Sequence, residues 1–201
     1  MKDTYIWDLD GTLSDGRHRL HLLPNKSDAH KTESWDAFNL AAGGDSAFVD
    51  NIRLMNELFQ FGKRIIILSG RCDVAKVITE KWLWEHGCSY NQLIMRPAAD
   101  HRRDTEFKEE KLREIGLERI VACFDDLEHV AKHIRSLGVT CHLVTHYDDE
   151  CVSTSQHIRY PDLESVRPEE LRENDCYSDG YEDGWSEGYN QAIADTKELN
   201  K

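Results

Sequence analysis

No run of apolar residues in this chain reaches the roughly 18 needed to cross a bilayer, so nothing in it reads as a membrane span. The opening MKDTYIWDLD places acids where a secretory leader needs an apolar stretch, and the expectation is a cytoplasmic protein. None of the six cysteines (Cys72, Cys88, Cys123, Cys141, Cys151 and Cys176) stands in a CxxC pair. Three of them fall in or beside expected strands and helices, so they read as reduced, buried thiols rather than zinc ligands. A GxxxxGK[ST] loop is missing too, which removes the grounds for NTP-driven phosphorylation by that route. Positive charge is short: 25 Lys and Arg face 38 Asp and Glu, a net of −13, of which residues 151–201 carry −7. That balance argues against tight, extended DNA binding but says little against a small anion pocket.

What remains is 201 residues with 39% hydrophobic and 31% charged side chains, enough for one core with an appendage. Tyr5, Ile6 and Trp7 read as a short buried strand ending in Asp8-Leu9-Asp10. Residues 14–46 are polar and irregular, a small insertion. Residues 47–61 place Phe48, Ile52, Met55, Leu58 and Phe59 on one helical face, and Gly62 stops that helix. KRIIILSGR is a buried strand ending in Ser69-Gly70-Arg71. A second amphipathic helix spans 74–86 up to Gly87, and NQLIM is a short strand. Residues 105–115 read as a helix carrying Lys108. IVACF is a strand ending in Asp125-Asp126, residues 127–137 form a helix, and CHLV is the last strand. Strands alternating with helices of this length predict an α/β fold, a parallel sheet with helices on both faces, over residues 1–150.

Ligands bind such sheets outside the carboxyl ends of the strands. Here those ends carry Asp-x-Asp, Ser-Gly-Arg and Asp-Asp, and all three converge on one edge. Carboxylates gathered at one mouth repel and resist burial unless something offsets their charge. Mg²⁺, which takes few carboxylates and keeps waters or phosphate oxygens, suits Asp8, Asp10, Asp125 and Asp126. Ser69, Arg71 and Lys108 supply the hydroxyl and cations that a phosphoryl group needs. One aspartate of the first pair can attack phosphorus while the other shuttles a proton.

DLDGT, ILSGR, Lys108 and FDD, in that order, resemble the four motifs of the haloacid dehalogenase (HAD) superfamily of phosphotransferases, over residues 1–147. The resemblance implies a Rossmann-like core, Asp8 as nucleophile and Asp10 as general acid/base. It implies Ser69, Gly70 and Lys108 at the phosphoryl group. It also implies Mg²⁺ held by Asp8, Asp125 and Asp126 with the backbone carbonyl of Asp10. The run MRPAADHRRDTEFKEEKL is similar to the phosphatase half of phage-type polynucleotide kinase–phosphatases, as are GRHRLHLLP and SGR. That likeness adds Arg19 or Arg17, Arg71, Arg96 and Asp104 to the site. Arg71 would bind phosphate, and Asp104 would orient Lys108 four residues on, on the same helical face.

Other features read more plainly. Asp126 could cap the helix that follows it. His18 and His21 read as packing or surface groups, since no cysteine spacing accompanies them. Trp35 and Phe38 either stack a base or form a small core of the insertion. Trp82 and Trp84, two apart on a helix, cannot share a face, so one is core and the other exposed. In the acidic extension 151–201, Gly180, Gly184 and Gly188 recur every four residues with Tyr181, Trp185 and Tyr189 in step. Such a helix forms only if docked on its own core or a second copy in a homo-oligomer; otherwise the tail is disordered. The expected function is Mg²⁺-dependent hydrolysis of a nucleic-acid 3′-phosphate end. A nucleoside 5′-monophosphate is the alternative substrate, and a non-catalytic binding module is the alternative of another class.

Overall fold

Ile65, Ile66, Ile67 and Leu68 are all buried. Four consecutive apolar residues hidden on both faces belong in the middle of a parallel sheet. In the computed structural model they form the centre of β4 (Arg64–Cys72). The sheet runs β5 (Gln92–Arg96), β4, β1 (Thr4–Trp7), β6 (Ile120–Asp125), β7 (Cys141–Leu143), with every neighbouring pair parallel. The structure describes residues 2–25 and 27–144. The chain divides after Val144, and the expectations for the extension 151–201, its glycine-spaced helix and its role in a homo-oligomer, lie outside the described residues.

Strand alternation sorts the core into two halves. Trp7, Ile65 and Ile67 pack with Ile52 and Met55 of α2 (Val49–Gln60) and with Trp82 and Leu83 of α3 (Lys76–Glu85). Ile6, Ile66 and Leu68 pack with Phe107 and Leu112 of α4 (Asp104–Ile115) and with Val130 and Ile134 of α5 (Glu128–Ser136). Helices therefore cover both faces, as the alternating pattern predicts. Each large side chain buried here stabilises the fold by about 1.5–3 kcal/mol. Trp82 is core, whereas Trp84 is 79% exposed. Among the described residues no helix is long and apolar enough to cross a membrane. Cys72, Cys88, Cys123 and Cys141 are free thiols, and burial pushes those of Cys88 and Cys141 up to about 12, so they stay protonated.

Boundaries differ from the sequence reading in small ways. Phe48 precedes α2 instead of joining it, and a 3-10 turn at Asp73–Ala75 takes up the first residues expected in α3. β4 carries Ser69-Gly70-Arg71 as expected but runs one residue further, to Cys72, and the pairing with β5 shifts register between Ser69 and Cys72. That irregularity lets an extended backbone carry polar side chains to the sheet edge before the chain turns.

The insertion is framed by a two-stranded antiparallel pair, β2 (Ser14–Asp15) with β3 (Ser46–Ala47). Between them stand α1 (Asp36–Leu40) and 3-10 turns at Arg17–Leu22, Thr32–Trp35 and Ala41–Gly44. Leu20, Trp35, Phe38 and Ala42 are buried. The Trp35 and Phe38 rings meet edge to face at 6.0 Å, and the Arg19 guanidinium covers Phe38 at 3.9 Å. These two aromatics are thus the small core of the insertion, and the base-stacking reading is corrected: both faces they would offer are already spent on packing. Thr32 Oγ1 donates to the Asp100 carbonyl at 2.6 Å, tying the insertion to the loop before α4.

Candidate active site

β1 ends in a loop that closes on itself. The amides of Leu13 and Ser14 both donate to the Leu9 carbonyl, at 2.8 and 2.9 Å, and the side chains of Leu9 and Leu13 are buried. The apolar residues of the loop anchor it, so Asp8 and Asp10 are turned toward the carboxyl edge of the sheet. Gly11 sits at φ +75°, and a Cβ there would stand 2.0 Å from Asp126 Oδ2. Only glycine lets the Asp126 carboxylate lie against this loop.

Two ionic clusters meet around the pair of acids. In the first, Lys108 on α4 reaches inward and is almost wholly buried. Its ammonium donates to Asp8 Oδ1 at 2.9 Å and Asp125 Oδ2 at 2.8 Å, and Asp104 Oδ2 lies 3.0 Å away. Three carboxylates thus occupy the three donors an ammonium has. Asp104, one turn before Lys108, also accepts from Arg96 Nη2 at 2.8 Å. Arg96 in turn donates to the Gly70 and Arg102 carbonyls, at 3.1 and 2.6 Å. The expected orienting role of Asp104 toward Lys108 is therefore visible as a contact, and Arg96 stands behind it.

In the second cluster Asp10 is clasped by two arginines with no side-chain exposure. Asp10 Oδ1 accepts from Arg19 Nη2 at 2.5 Å and Arg71 Nη2 at 2.6 Å, and Oδ2 accepts from Arg71 Nε at 3.1 Å. Asp45 stands behind both arginines, accepting from Arg19 Nε at 2.6 Å and from Arg71 Nη2 at 3.1 Å. Arg71 is completed by Ser14 and Thr79. Arg17, the alternative to Arg19, donates through Nε to both oxygens of Asp15 at 2.8 Å. Ser69 is buried, and its hydroxyl oxygen accepts the Arg71 amide at 3.1 Å.

Charge divides unevenly between the clusters. Asp10 and Asp45 match Arg19 and Arg71 one for one. Among the described residues Asp8, Asp104 and Asp125 share Lys108, with Arg96 on Asp104 as well, so carboxylate is in excess there. The titration behaviour follows. Burial tends to push the Asp10 carboxyl up, but Arg71 and Arg19 overcome it and hold Asp10 far below the usual carboxylate range. Burial drives Asp8 upward; Lys108 opposes that, and the like charges of Asp125, Asp126 and Asp104 reinforce it. Asp125 is also raised, again by burial first. Burial would lower Lys108, yet Asp104, Asp125 and Asp8 raise it well above an ordinary lysine.

The residues present fit a divalent cation. The excess of carboxylate at Asp8 and Asp125, with Asp126 against the same loop, is what one such ion would offset. Among the described residues no group of three or more acidic, histidine or cysteine side chains is closed into a cage. Mg²⁺ does not ask for one, since it keeps several waters.

Sequence reasoning singled out every member of the first cluster and missed Asp45. The acid of Ala41-Ala42-Gly43-Gly44-Asp45 lies in an aperiodic stretch, and only the fold brings it to Arg19, 26 positions away. One smaller expectation is corrected: the acid bonded to the start of α5 is Asp125, whose Oδ1 accepts the Leu127 amide at 3.0 Å, and Asp126 is turned to the β1 loop instead. His18, read as packing or surface, lies 3.0 Å from Asp45 through Nε2.

The family model of the polynucleotide kinase PNKP phosphatase domain matches residues 2–148. A solved structure of the Pnkp1/Rnl/Hen1 complex contains a chain 26% identical to this one, with a TM-score of 0.58, covering 74% of this chain and 48% of that one. A second, described as the Pnkp1/Rnl/Hen1 RNA repair complex, is 27% identical at the same TM-score, covering 74% and 44%. The chain therefore spans about half the length of these similar proteins. L-2-haloacid dehalogenase from Xanthobacter autotrophicus shares the fold at 11% identity, with a TM-score of 0.51 over 75% of this chain and 80% of that one. No curated protein sequence matches.

Proposed function

Because the chain belongs to the family of polynucleotide kinase PNKP phosphatase domains, we propose that it removes the 3′-phosphate from nucleic-acid ends, through a phosphoryl group carried on Asp8. The observation behind this is the pairing of Asp8, bonded to a protonated and buried Lys108, with Asp10, two residues on and held by arginines. A carboxylate beside a fixed cation, with a second carboxylate across the turn, is equipped for attack on phosphorus and for proton transfer.

In this reading Asp8 attacks phosphorus, and the Lys108 ammonium offsets the charge on the phosphoryl oxygens as they approach. Ser69 and Gly70 lie on the same edge and contribute a hydroxyl and an amide. Asp8, Asp125, Asp126 and the Asp10 carbonyl would hold Mg²⁺, which would offset the excess of carboxylate in the first cluster. Asp10 protonates the leaving oxygen, then takes a proton from the water that releases the phosphoryl group. Its arginine clasp keeps it ionised before substrate arrives, so the proton it donates comes in on the substrate's phosphate monoanion, whose negative charge raises the proton affinity of Asp10 as it binds.

The family match and the two repair-complex chains support a nucleic-acid end as substrate. The net charge of −13 favours the second reading, a nucleoside 5′-monophosphate. Phosphate release from a 3′-phosphorylated oligonucleotide and from a panel of 5′-mononucleotides separates them. With Mg²⁺ the oligonucleotide is expected to be the better substrate, and EDTA is expected to stop release from it. Faster release from the mononucleotides would move the assignment to the second reading.

A further inference from the structure

Asp45 belongs to no motif and does not reach the reacting carboxylate, yet it is the most enclosed acid of the second cluster. Its side chain is fully buried. Asp45 Oδ2 accepts from Arg19 Nη2 at 2.8 Å and from Arg71 Nη2 at 3.1 Å. Those two nitrogens are the same ones that hold Asp10 Oδ1, so each stands between one oxygen of Asp10 and one of Asp45. The rest of Asp45 is fixed as well: its carbonyl accepts Trp82 Nε1 at 2.8 Å, and its amide donates to Ala42 at 3.2 Å. Trp82 is core and Phe38 underlies Arg19, so the far side of this ring is anchored in packed apolar structure. Even the backbone is cut close around it, since a Cβ on Gly16 would stand 2.8 Å from Arg19 Nη2.

We propose that Asp45 is a positioning residue: through Arg19 and Arg71 it fixes the orientation of the Asp10 carboxyl, so that Oδ2 faces the leaving oxygen. Asp10 Oδ1 takes both short bonds from the Nη2 atoms, and Oδ2 takes one longer bond from Arg71 Nε. Oδ2 is therefore the oxygen that carries the proton. Without the Asp45 carboxylate the two guanidinium groups lose their rear anchor and follow Asp10 instead of aiming it. The proposal rests on the reading of Asp10 as the acid that protonates the leaving group.

Leaving-group dependence tests it, because a group that leaves without a proton has no use for an aimed Asp10. kcat/KM reports the steps through departure of that group, and is measured for p-nitrophenyl phosphate and for the nucleotide phosphate that the wild type takes best. Asp45→Asn is expected to lose roughly 100-fold with the nucleotide, the cost of a misplaced catalytic group. With p-nitrophenyl phosphate the loss is expected to stay within roughly 5-fold, since no positioned proton donor is required. Arg19→Lys, which keeps the charge and removes the fork, is expected to give the same split and stands in if Asp45→Asn does not fold. Equal losses on both substrates, or none on either, would overturn the proposal. Asp10→Asn is the control. If it splits the substrates and the other two do not, Asp45 has no positioning role; if it fails to split them, the acid role of Asp10 falls and takes the proposal with it.

Discussion

Asp8→Asn is expected to abolish phosphate release and, in the absence of divalent cations, to raise the melting temperature. Loss of the nucleophile costs activity by about 10⁴-fold or more. The stability gain has a separate origin. Asp8 is buried among Asp104, Asp125 and Asp126, and its carboxyl is raised in the folded protein. A carboxylate with a raised folded pKa lowers stability once pH exceeds its unfolded value, and the cost grows until pH passes the folded value. The amide removes that cost and still offers Lys108 an oxygen. A gain on the order of 1–2 kcal/mol, or about 2–4 °C for each kcal/mol, is expected at neutral pH. It should shrink toward zero below about pH 4, where the carboxyl is protonated in both states. Saturating Mg²⁺ should shrink it as well, because an ion held at Asp8 would stabilise the folded wild type. Thermal melts of both proteins with EDTA and with Mg²⁺ check this, and a lower melting temperature for Asp8→Asn in EDTA would refute it.

Lys108→Met has the opposite effect and the larger one. The methionine removes the ammonium shared by Asp8, Asp104 and Asp125, leaving buried carboxylates without their partner. Breaking a buried ion pair from one side costs about 3–5 kcal/mol, so the melting temperature should fall by roughly 10 °C. Catalysis should be lost with it. Because Lys108 is raised above an ordinary lysine, its contribution is complete at neutral pH and fades only as pH climbs above the ordinary lysine range. Lys108 itself therefore adds no pH dependence near neutrality, whereas Asp8 and Asp125, raised further without it, should make the stability difference grow as pH rises above the ordinary carboxylate range. Adding Asp8→Asn to Lys108→Met should restore part of the lost stability, since one uncompensated charge is then gone. The gain should exceed the one Asp8→Asn gives in the wild type; an equal gain in the two backgrounds would show that the two groups do not interact.

The legible part of this protein is its periodic part. Runs such as Ile65–Leu68 announce buried parallel strands, and acids or a Ser-Gly-Arg at strand ends announce the edge where ligands bind. Lys108 is visible for a related reason: Asp104, one helical turn earlier, gives it a same-face partner. The insertion is less legible because its elements are too short to show a period. Strands of two residues and 3-10 turns leave no pattern, and its core rests on an arginine lying across Phe38 rather than on an apolar face. Asp45 follows from that. Composition and spacing offer no sign that an acid after two glycines will be enclosed, because its partners Arg19 and Arg71 lie 26 residues away on either side. Arg71 shows the same limit in reverse. Its place beside the site is readable from SGR, but the orientation of its guanidinium toward Asp10 and Asp45 is not.

In the proposed mechanism Asp8 carries the phosphoryl group. The most direct measurement uses Asp10→Asn, which lacks the base that activates water, with Mg²⁺ and p-nitrophenyl phosphate, whose leaving group needs no proton. Acid quench within the first turnover, proteolysis and mass spectrometry should find one phosphoryl group on the peptide containing Asp8, absent from Asp8→Asn. A first turnover that releases nitrophenol and leaves that peptide unmodified, or modifies another residue, would contradict the account.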